Sequence, residues 1–192
     1  PLSPLLSNIM LNELDKKLES RGHPFVRYAD DCMIFCKSKR AAQRTMNHIV
    51  VYIEETLYLK VNREKTKVGY VQGMKFLGYS FYKNKSGFRL SVHPQSYTKL
   101  KGRLKELTGR SNGMGYESRK DSLHRLIRGW VEYFQLADMQ TRLKELDQWL
   151  RRRLRMCIWK SWKRIKTRFR NLVRCGIAKA RALPYANARQ GY

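Results

Sequence analysis

Up to about residue 93 the apolar positions of the chain switch between two spacings, and beyond Pro94 only one remains. Leu6, Met10, Leu14 and Leu18 recur every fourth residue behind Ser3 as N-cap and Pro4 in the first turn, which predicts a helix over about 4–20. Gly22 and Pro24 end it. FVRYADDCMIFCKS, residues 25–38, then reads as strand, tight turn and strand. A second amphipathic helix, 39–57, carries Met46, Ile49, Ile53 and Leu57 on one face. KVGYV (67–71), KFLGYSFY (75–82) and GFRLSVH (87–93) read as strands, the last two joined through KNKSG as a hairpin. That order predicts an α+β fold, with helices on one face of an antiparallel sheet.

Beyond Pro94 the spacing is helical throughout. Tyr97, Leu100, Leu104 and Leu107 mark one helix, TGRSNGMG (108–115) a break, and Leu123, Ile127, Trp130 and Phe134 a second helix. A third is expected over about 139–174, because Leu150, Leu154, Ile158, Trp162, Ile165, Phe169 and Leu172 are spaced by three or four without interruption. Three helices with one apolar stripe each make an all-α bundle. The expected division is therefore an α+β domain at 1–93, a helical domain at 94–175 and a basic tail at 176–192, with no internal repeat.

Charge changes the picture most. The 192 residues carry 41 Lys and Arg against 15 Asp and Glu, a formal charge of +26, while a 42% hydrophobic content is enough to fill a core. A field of that sign gathers polyanions, nucleic acid first among them. The excess is uneven: residues 1–93 hold 16 basic against 8 acidic side chains, residues 94–192 hold 25 against 7, and no acid follows Asp147. Cys32, Cys36, Cys157 and Cys175 form no CxxC pair, so neither a disulfide framework nor a zinc site is indicated, and a reducing, intracellular compartment fits. No run of about 18 apolar residues could span a bilayer, and no secretory segment is present. A start at Pro1 without Met suggests a piece of a longer protein.

The candidate chemistry begins with Asp30 and Asp31. Adjacent carboxylates in a hairpin turn repel each other unless a cation relieves them. Mg²⁺ prefers a few carboxylate oxygens, keeps waters and takes its remaining ligands from substrate phosphates, which suits phosphoryl transfer with two ions about 3.5–4 Å apart. Asp is also common in solvated turns, so the pair alone fits that reading too. The apolar strands on both sides favour the metal, since a rigid sheet-borne tip can hold such a site accurately.

YADD, residues 28–31, resembles the Y-x-D-D signature of reverse transcriptases. PLSPLLSNIMLNELD (1–15) is similar to the segment that precedes it in the intron and retron enzymes, LYLKVNREKT (57–66) to the motif that follows it, and FLGY (76–79) to the primer-grip motif beyond. SLHRLIRGWVEYFQLAD (122–138) and LDQWLRRRLRMCIWKSWKR (146–164) resemble the thumb, or maturase, domain of group II intron reverse transcriptases. ARALPYANARQGY (180–192) resembles the tail of bacterial members that lack an endonuclease domain.

The resemblance implies a reverse-transcriptase palm followed by the thumb bundle, in the cytoplasm of a bacterium, acting as RNA-directed DNA polymerase and splicing maturase of a mobile retroelement. It implies two Mg²⁺ ions held by Asp30 and Asp31, with Tyr28 and Ala29 beneath the primer end. Lys65 would stand near the triphosphate and help protonate pyrophosphate, with a solvated loop lysine as the equal alternative. Phe76, Leu77, Gly78 and Tyr79 would hold the primer terminus, or simply pack as strand; Pro1 to Pro4 would border the nucleotide pocket. The implied partners are group II intron RNA, template RNA with a DNA primer, dNTPs and target DNA. The family's third carboxylate lies on a strand upstream of PLSP, so the isolated chain is expected to be inactive as a polymerase.

Arg151, Arg152, Arg153, Arg155, Lys160, Lys163, Arg164, Lys166, Arg168 and Arg170 fill the third helix outside its apolar stripe. A solvated face normally mixes signs and this one does not, so phosphate contact is the better account. Trp162 lies on the stripe and reads as core, whereas Trp159 is placed to stack on a base. A membrane-surface helix is the alternative on charge alone, and two neighbouring helices with apolar stripes to cover this one argue against it. For the whole chain, the alternative to a polymerase is a non-catalytic RNA-binding maturase; a retron-type enzyme is a third, weaker reading.

Overall fold

The computed structural model describes residues 2–188, which divide into two compact units between Phe88 and Arg89. In the first, α1 spans Ser3–Ser20. Its N-cap is Leu2, whose side chain makes no capping bond, so Ser3 lies inside the helix and not at its cap. Leu11, Leu14 and Leu18 are its buried residues. Leu6 and Met10, expected on the core stripe, are exposed; the buried face follows the i, i+3, i+7 row instead.

β1 (Phe25–Tyr28) and β2 (Asp31–Ile34) pair antiparallel, with Phe25 opposite Ile34 and Tyr28 opposite Asp31. Phe25 and Ile34 pack against the cluster of Leu11, Leu14, Leu18, Ile49 and Leu57, which is the core of this unit. α2 runs Lys39–Val51, capped where Ser38 Oγ accepts from the Ala41 N–H at 3.2 Å. It widens into a π-helical turn at Tyr52–Thr56, so the expected helix to 57 ends in a bulge that brings Leu57 into the core.

A second small sheet carries β3 (Lys75–Phe76), β4 (Tyr79–Asn84) and β5 (Gly87–Val92) in that order, so the single expected sheet is two. KFLGYSFY does not run through as one strand: β3 pairs antiparallel with β4 around Leu77 and Gly78. KVGYV, expected as a strand, is irregular, and near it only Gln72 forms a bridge, to Phe81. Tyr70 is exposed; β-forming residues make a strand when a partner strand pairs with them, and among the described residues no strand pairs with this stretch.

The second unit is helical after β5: α3 Pro94–Leu107, α4 Tyr116–Tyr133, α5 Gln140–Ser161, α6 Ile165–Arg174 and α7 Lys179–Asn187. Leu100, Leu104, Leu123 and Leu146 form its core, with Trp130, Trp149 and Leu154 packed on them. The expected third helix is broken in two. Trp162 leaves helical geometry (φ −85°, ψ 71°), and Ser161 Oγ donates back to the Ile158 carbonyl at 2.6 Å. α6 packs on α7, where Ala182 and Ala186 are buried. The fold class is therefore α+β, with an all-helical unit following the sheets.

Candidate functional site

The β1–β2 hairpin closes on two residues, Ala29 and Asp30, between the Tyr28–Asp31 pair. Ala29 takes φ 52°, a left-handed conformation that a side chain disfavours and a glycine would adopt freely. The strain has a visible support. Arg27 Nη1 donates to the Ala29 carbonyl at 2.9 Å and to Asn8 Oδ1 at 3.0 Å, while Nε donates to Asp15 Oδ1 at 2.7 Å and Nη2 closes the fork on the same carboxylate. One half-buried guanidinium thus ties the hairpin tip to α1. Asp15 holds the Arg27 pKa above its ordinary value, chiefly through the hydrogen bond, which outweighs the opposing effect of burial, with the Asp15 charge adding less.

Cross-strand partners share a face, so Phe25, Arg27, Cys32 and Ile34 lie on the side of the hairpin that meets α1. The Cys32 thiol there is pushed up to about 11, by burial first and then by the Asp15 carboxylate, with Arg27 pulling the other way. Tyr28 and Asp31 occupy the opposite face, and both are exposed. Asp30 is exposed at the tip. Neither aspartate side chain has a hydrogen-bond or ion-pair partner among the described residues, so their mutual repulsion stays unrelieved within the chain.

The FLGY stretch has the same form. Phe76 pairs with Tyr79 around Leu77 (φ 49°) and Gly78 (φ 82°), two positive angles in succession, as a two-residue hairpin turn requires. All four residues are half-buried. The hairpin exit and β4 meet where Phe35 and Phe81 stack edge to face at 6.4 Å. Lys65 is exposed, and its backbone N–H donates to Asn62 Oδ1 at 3.1 Å while Thr66 Oγ1 donates to the Asn62 carbonyl at 2.8 Å, so the NREKT segment is a side-chain-closed turn. Pro1 lies outside the described residues.

In the helical unit the ten predicted cations separate into two kinds. Arg152, Arg155, Lys163, Arg164, Lys166 and Arg170 are exposed, and Lys160 and Arg151 are exposed too, bound to Ser111 Oγ at 3.2 Å and Asp147 at 2.8 Å. Arg153 and Arg168 are half-buried and serve the fold. Arg153 donates to Thr108 Oγ1 (2.6 Å) and to the carbonyls of Lys105 (3.2 Å) and Thr108 (3.1 Å), closing the C-terminus of α3. Arg168 donates to the Trp162 carbonyl at 2.9 Å, satisfying the group freed by the helix break, and lies 5.0 Å from the Trp159 ring centroid. Trp159, read as a base-stacking side chain, is thus in contact with Arg168 and, at 6.1 Å, with Trp162.

Sequence reasoning missed Arg27, Asn8 and Asp15. The available signal was a lone cation inside an apolar strand, on the face that must meet α1, with Asn8 and Asp15 two helical turns apart on that helix. As a metal donor set the tip fits in part: two adjacent exposed carboxylates on a braced turn suit Mg²⁺, while no group of three or more His, Cys, Asp or Glu gathers among the described residues. No helix among them is long and apolar enough to cross a membrane. Residues 1–81 match the family model for reverse transcriptase (RNA-dependent DNA polymerase), and residues 97–176 match the maturase-specific domain of group II introns. No curated protein matches the chain.

Proposed function

We propose, for a chain that belongs to the group II intron reverse transcriptases and maturases, that the Ala29–Asp31 tip is its metal-carrying element and that the exposed cations of α5 and α6 are its RNA grip. The family's work is RNA-directed DNA synthesis and intron splicing. The observation that carries the reading is the braced tip: a strained turn, held by Arg27, that presents two carboxylates with no partner of their own.

Asp30 and Asp31 would hold Mg²⁺, which when bound supplies charge for the attacking and leaving oxygens of nucleotidyl transfer. Arg27 keeps the carboxylates at a fixed height by anchoring the Ala29 carbonyl. Tyr28, on the same face as Asp31, offers a flat ring beside the primer end, and the Leu77–Gly78 turn offers a backbone that a primer terminus can approach closely. Lys65, exposed on its Asn62-closed turn, is free to move its ammonium toward a triphosphate. dNTPs, target DNA, the cytoplasm and a bacterial host belong to this reading.

Two carboxylates are too few to hold two Mg²⁺ firmly, so the 192 residues alone are inactive in primer extension on an RNA template; extended product from the purified chain would overturn this. Weak Mn²⁺ binding, followed by electron paramagnetic resonance, should fall by at least half in Asp30→Asn and stay intact in Lys65→Gln. The second reading, a non-catalytic maturase, is favoured by the same shortage of carboxylates, and it predicts Mn²⁺ binding indifferent to Asp30.

A further inference from the structure

A cleft of about 180 Å³ lies where the end of α1 meets the end of α2, walled by one row of side chains from each. Lys17 and Arg21 stand one helical turn apart, on α1 and its C-terminal cap. His48, Tyr52 and Thr56 step by four along α2 and the π-helical turn, with buried Ile49 among them. Lys17 is two residues beyond Asp15, about 200° around a helix. The cleft therefore lies on the side of α1 turned away from the Asp15–Arg27 brace of the hairpin tip.

The charge around it has one sign. No acidic residue lines the cleft. Glu13 and Glu54, on the same elements, are engaged by Lys16 at 2.7 Å and Arg63 at 2.6 Å, while Glu19 and Glu55 are exposed outside it. Lys17 Nζ lies 5.4 Å from the Tyr52 ring centroid, which orders the ammonium without neutralising it. The side chains of Arg21 and His48 have no hydrogen-bond or ion-pair partner among the described residues. A basic side chain in the last turn of a helix is favoured by the macrodipole, which accounts for Lys17 on α1 and His48 on α2 singly. It does not account for their convergence with Arg21 on one hollow, where like charges repel and an anion relieves them.

The π-helical turn is the second, independent sign. Such turns are rare inside helices and frequently stand at functional sites. This one puts the Thr56 hydroxyl on the wall of the cleft, so that donors come from both elements: an ammonium, a guanidinium fork, an imidazole N–H and a hydroxyl.

We infer that this cleft binds a small phosphate-type oxyanion, free phosphate or pyrophosphate, between α1 and α2. Arg21 offers a fork that matches two oxygens, Lys17 a point charge, and His48 and Thr56 single hydrogen bonds. The volume is below the roughly 300–1,000 Å³ of sites for drug-sized ligands, so the anion fits without a large body attached. The site is separate from the carboxylate tip and from the cations of α5 and α6, and rests on neither. Every nucleotide addition releases pyrophosphate, so the family's own reaction supplies one of the two ligands. An anion held by both elements ties α1 to α2 and stabilises the first unit.

The test is calorimetric titration of the full chain with sodium phosphate and with sodium pyrophosphate, at fixed ionic strength and without divalent metal, so that the tip takes no part. Binding should saturate at one equivalent, and the tighter of the two anions identifies the occupant. Lys17→Gln with Arg21→Gln should weaken it about tenfold, and Thr56→Val, which removes only the hydroxyl, severalfold. Lys120→Gln with Arg125→Gln, exposed cations of α4, should leave it unchanged. The melting temperature should rise at saturating anion in the unaltered chain and not in the Lys17, Arg21 variant, whose own melting curve without anion reports that it is folded. Titrations that do not saturate, or that this variant leaves unchanged, would overturn the site. So would a variant that loses affinity for an RNA hairpin while neither anion saturates, since the cleft would then serve an RNA backbone.

Discussion

Arg27 in residues 1–88 and Arg153 in residues 89–192 are both half-buried guanidiniums that brace a chain reversal, yet their surroundings differ in one respect. Arg27 donates to a backbone carbonyl and is matched by a carboxylate, Asp15. Arg153 donates to carbonyls and a hydroxyl, with Trp149 beside it, and makes no ion pair among the described residues. A charge brought out of water needs compensation, and dipoles supply it as well as an ion pair does. The difference lies in what remains outside: the Arg27 pair is neutral, whereas Arg153 leaves the unit's positive field intact. The first unit uses its charges to fix a small acidic tip; the second holds its fold together without cancelling the charge that attracts a polyanion.

The comparison depends on the helices on which each brace stands, and removing their cores should have the largest effect. Leu18 in α1 and Leu104 in α3 are both 0% exposed. Each change to Ala should cost about 3 kcal/mol, a lost transfer term plus a cavity, read from denaturant unfolding. Arg27→Ala comes next, at about 2 kcal/mol, because Asp15, whose side chain is only 21% exposed, is left with its charge uncompensated. Asp15→Asn should recover part of that loss in the double variant; simple additivity would mean the pair is not coupled.

Arg153→Gln should cost less, about 1 kcal/mol by the same measurement, since no charge is orphaned and the Thr108 carbonyl keeps a contact from Cys157 Sγ at 3.3 Å. A cost equal to that of Arg27→Ala would remove the distinction between the two braces. Its effect on RNA binding should be small beside that of Arg155→Gln, because its donors face the fold.

How far the sequence discloses this can be judged from particular residues. The hairpin, the two-residue turn and the order of elements are legible because alternation and the DD pair are local signals. The break at Trp162 is not: the apolar spacing runs on through Ile158, Trp162, Ile165 and Phe169, and neither Gly nor Pro marks it. What ends α5 is a side-chain bond from Ser161 and a distant donor, Arg168, to the freed carbonyl. Likewise a charge run on a helix shows its sign but not its use, so Arg153 and Arg168 read as RNA ligands until their carbonyl partners are seen. Asp30, Asp31 and Lys65 could be named from motif order, while Arg27 required the register that puts it against α1.

The Cys32 thiol offers the finest gauge of the first brace. With its pKa pushed up to about 11 from 9.0, its thiolate fraction at pH 8 is about a hundredfold below that of an ordinary cysteine, and the greater nucleophilicity of a high-pKa thiolate returns about tenfold of this. Alkylation by iodoacetamide, followed by mass spectrometry, should therefore be about tenfold slower at Cys32 than at Cys175, although both residues are exposed. The raised value also means that the folded state binds the proton more tightly, so the thiol's contribution to stability is present below pH 9 and is lost as pH rises toward 11. Asp15→Asn removes the second cause of the shift and loosens the packing behind the first. Both changes move the pKa down, so labelling at Cys32 should speed up. Equal rates at Cys32 and Cys175 in the unaltered protein would show that neither burial nor Asp15 holds the Cys32 thiol up.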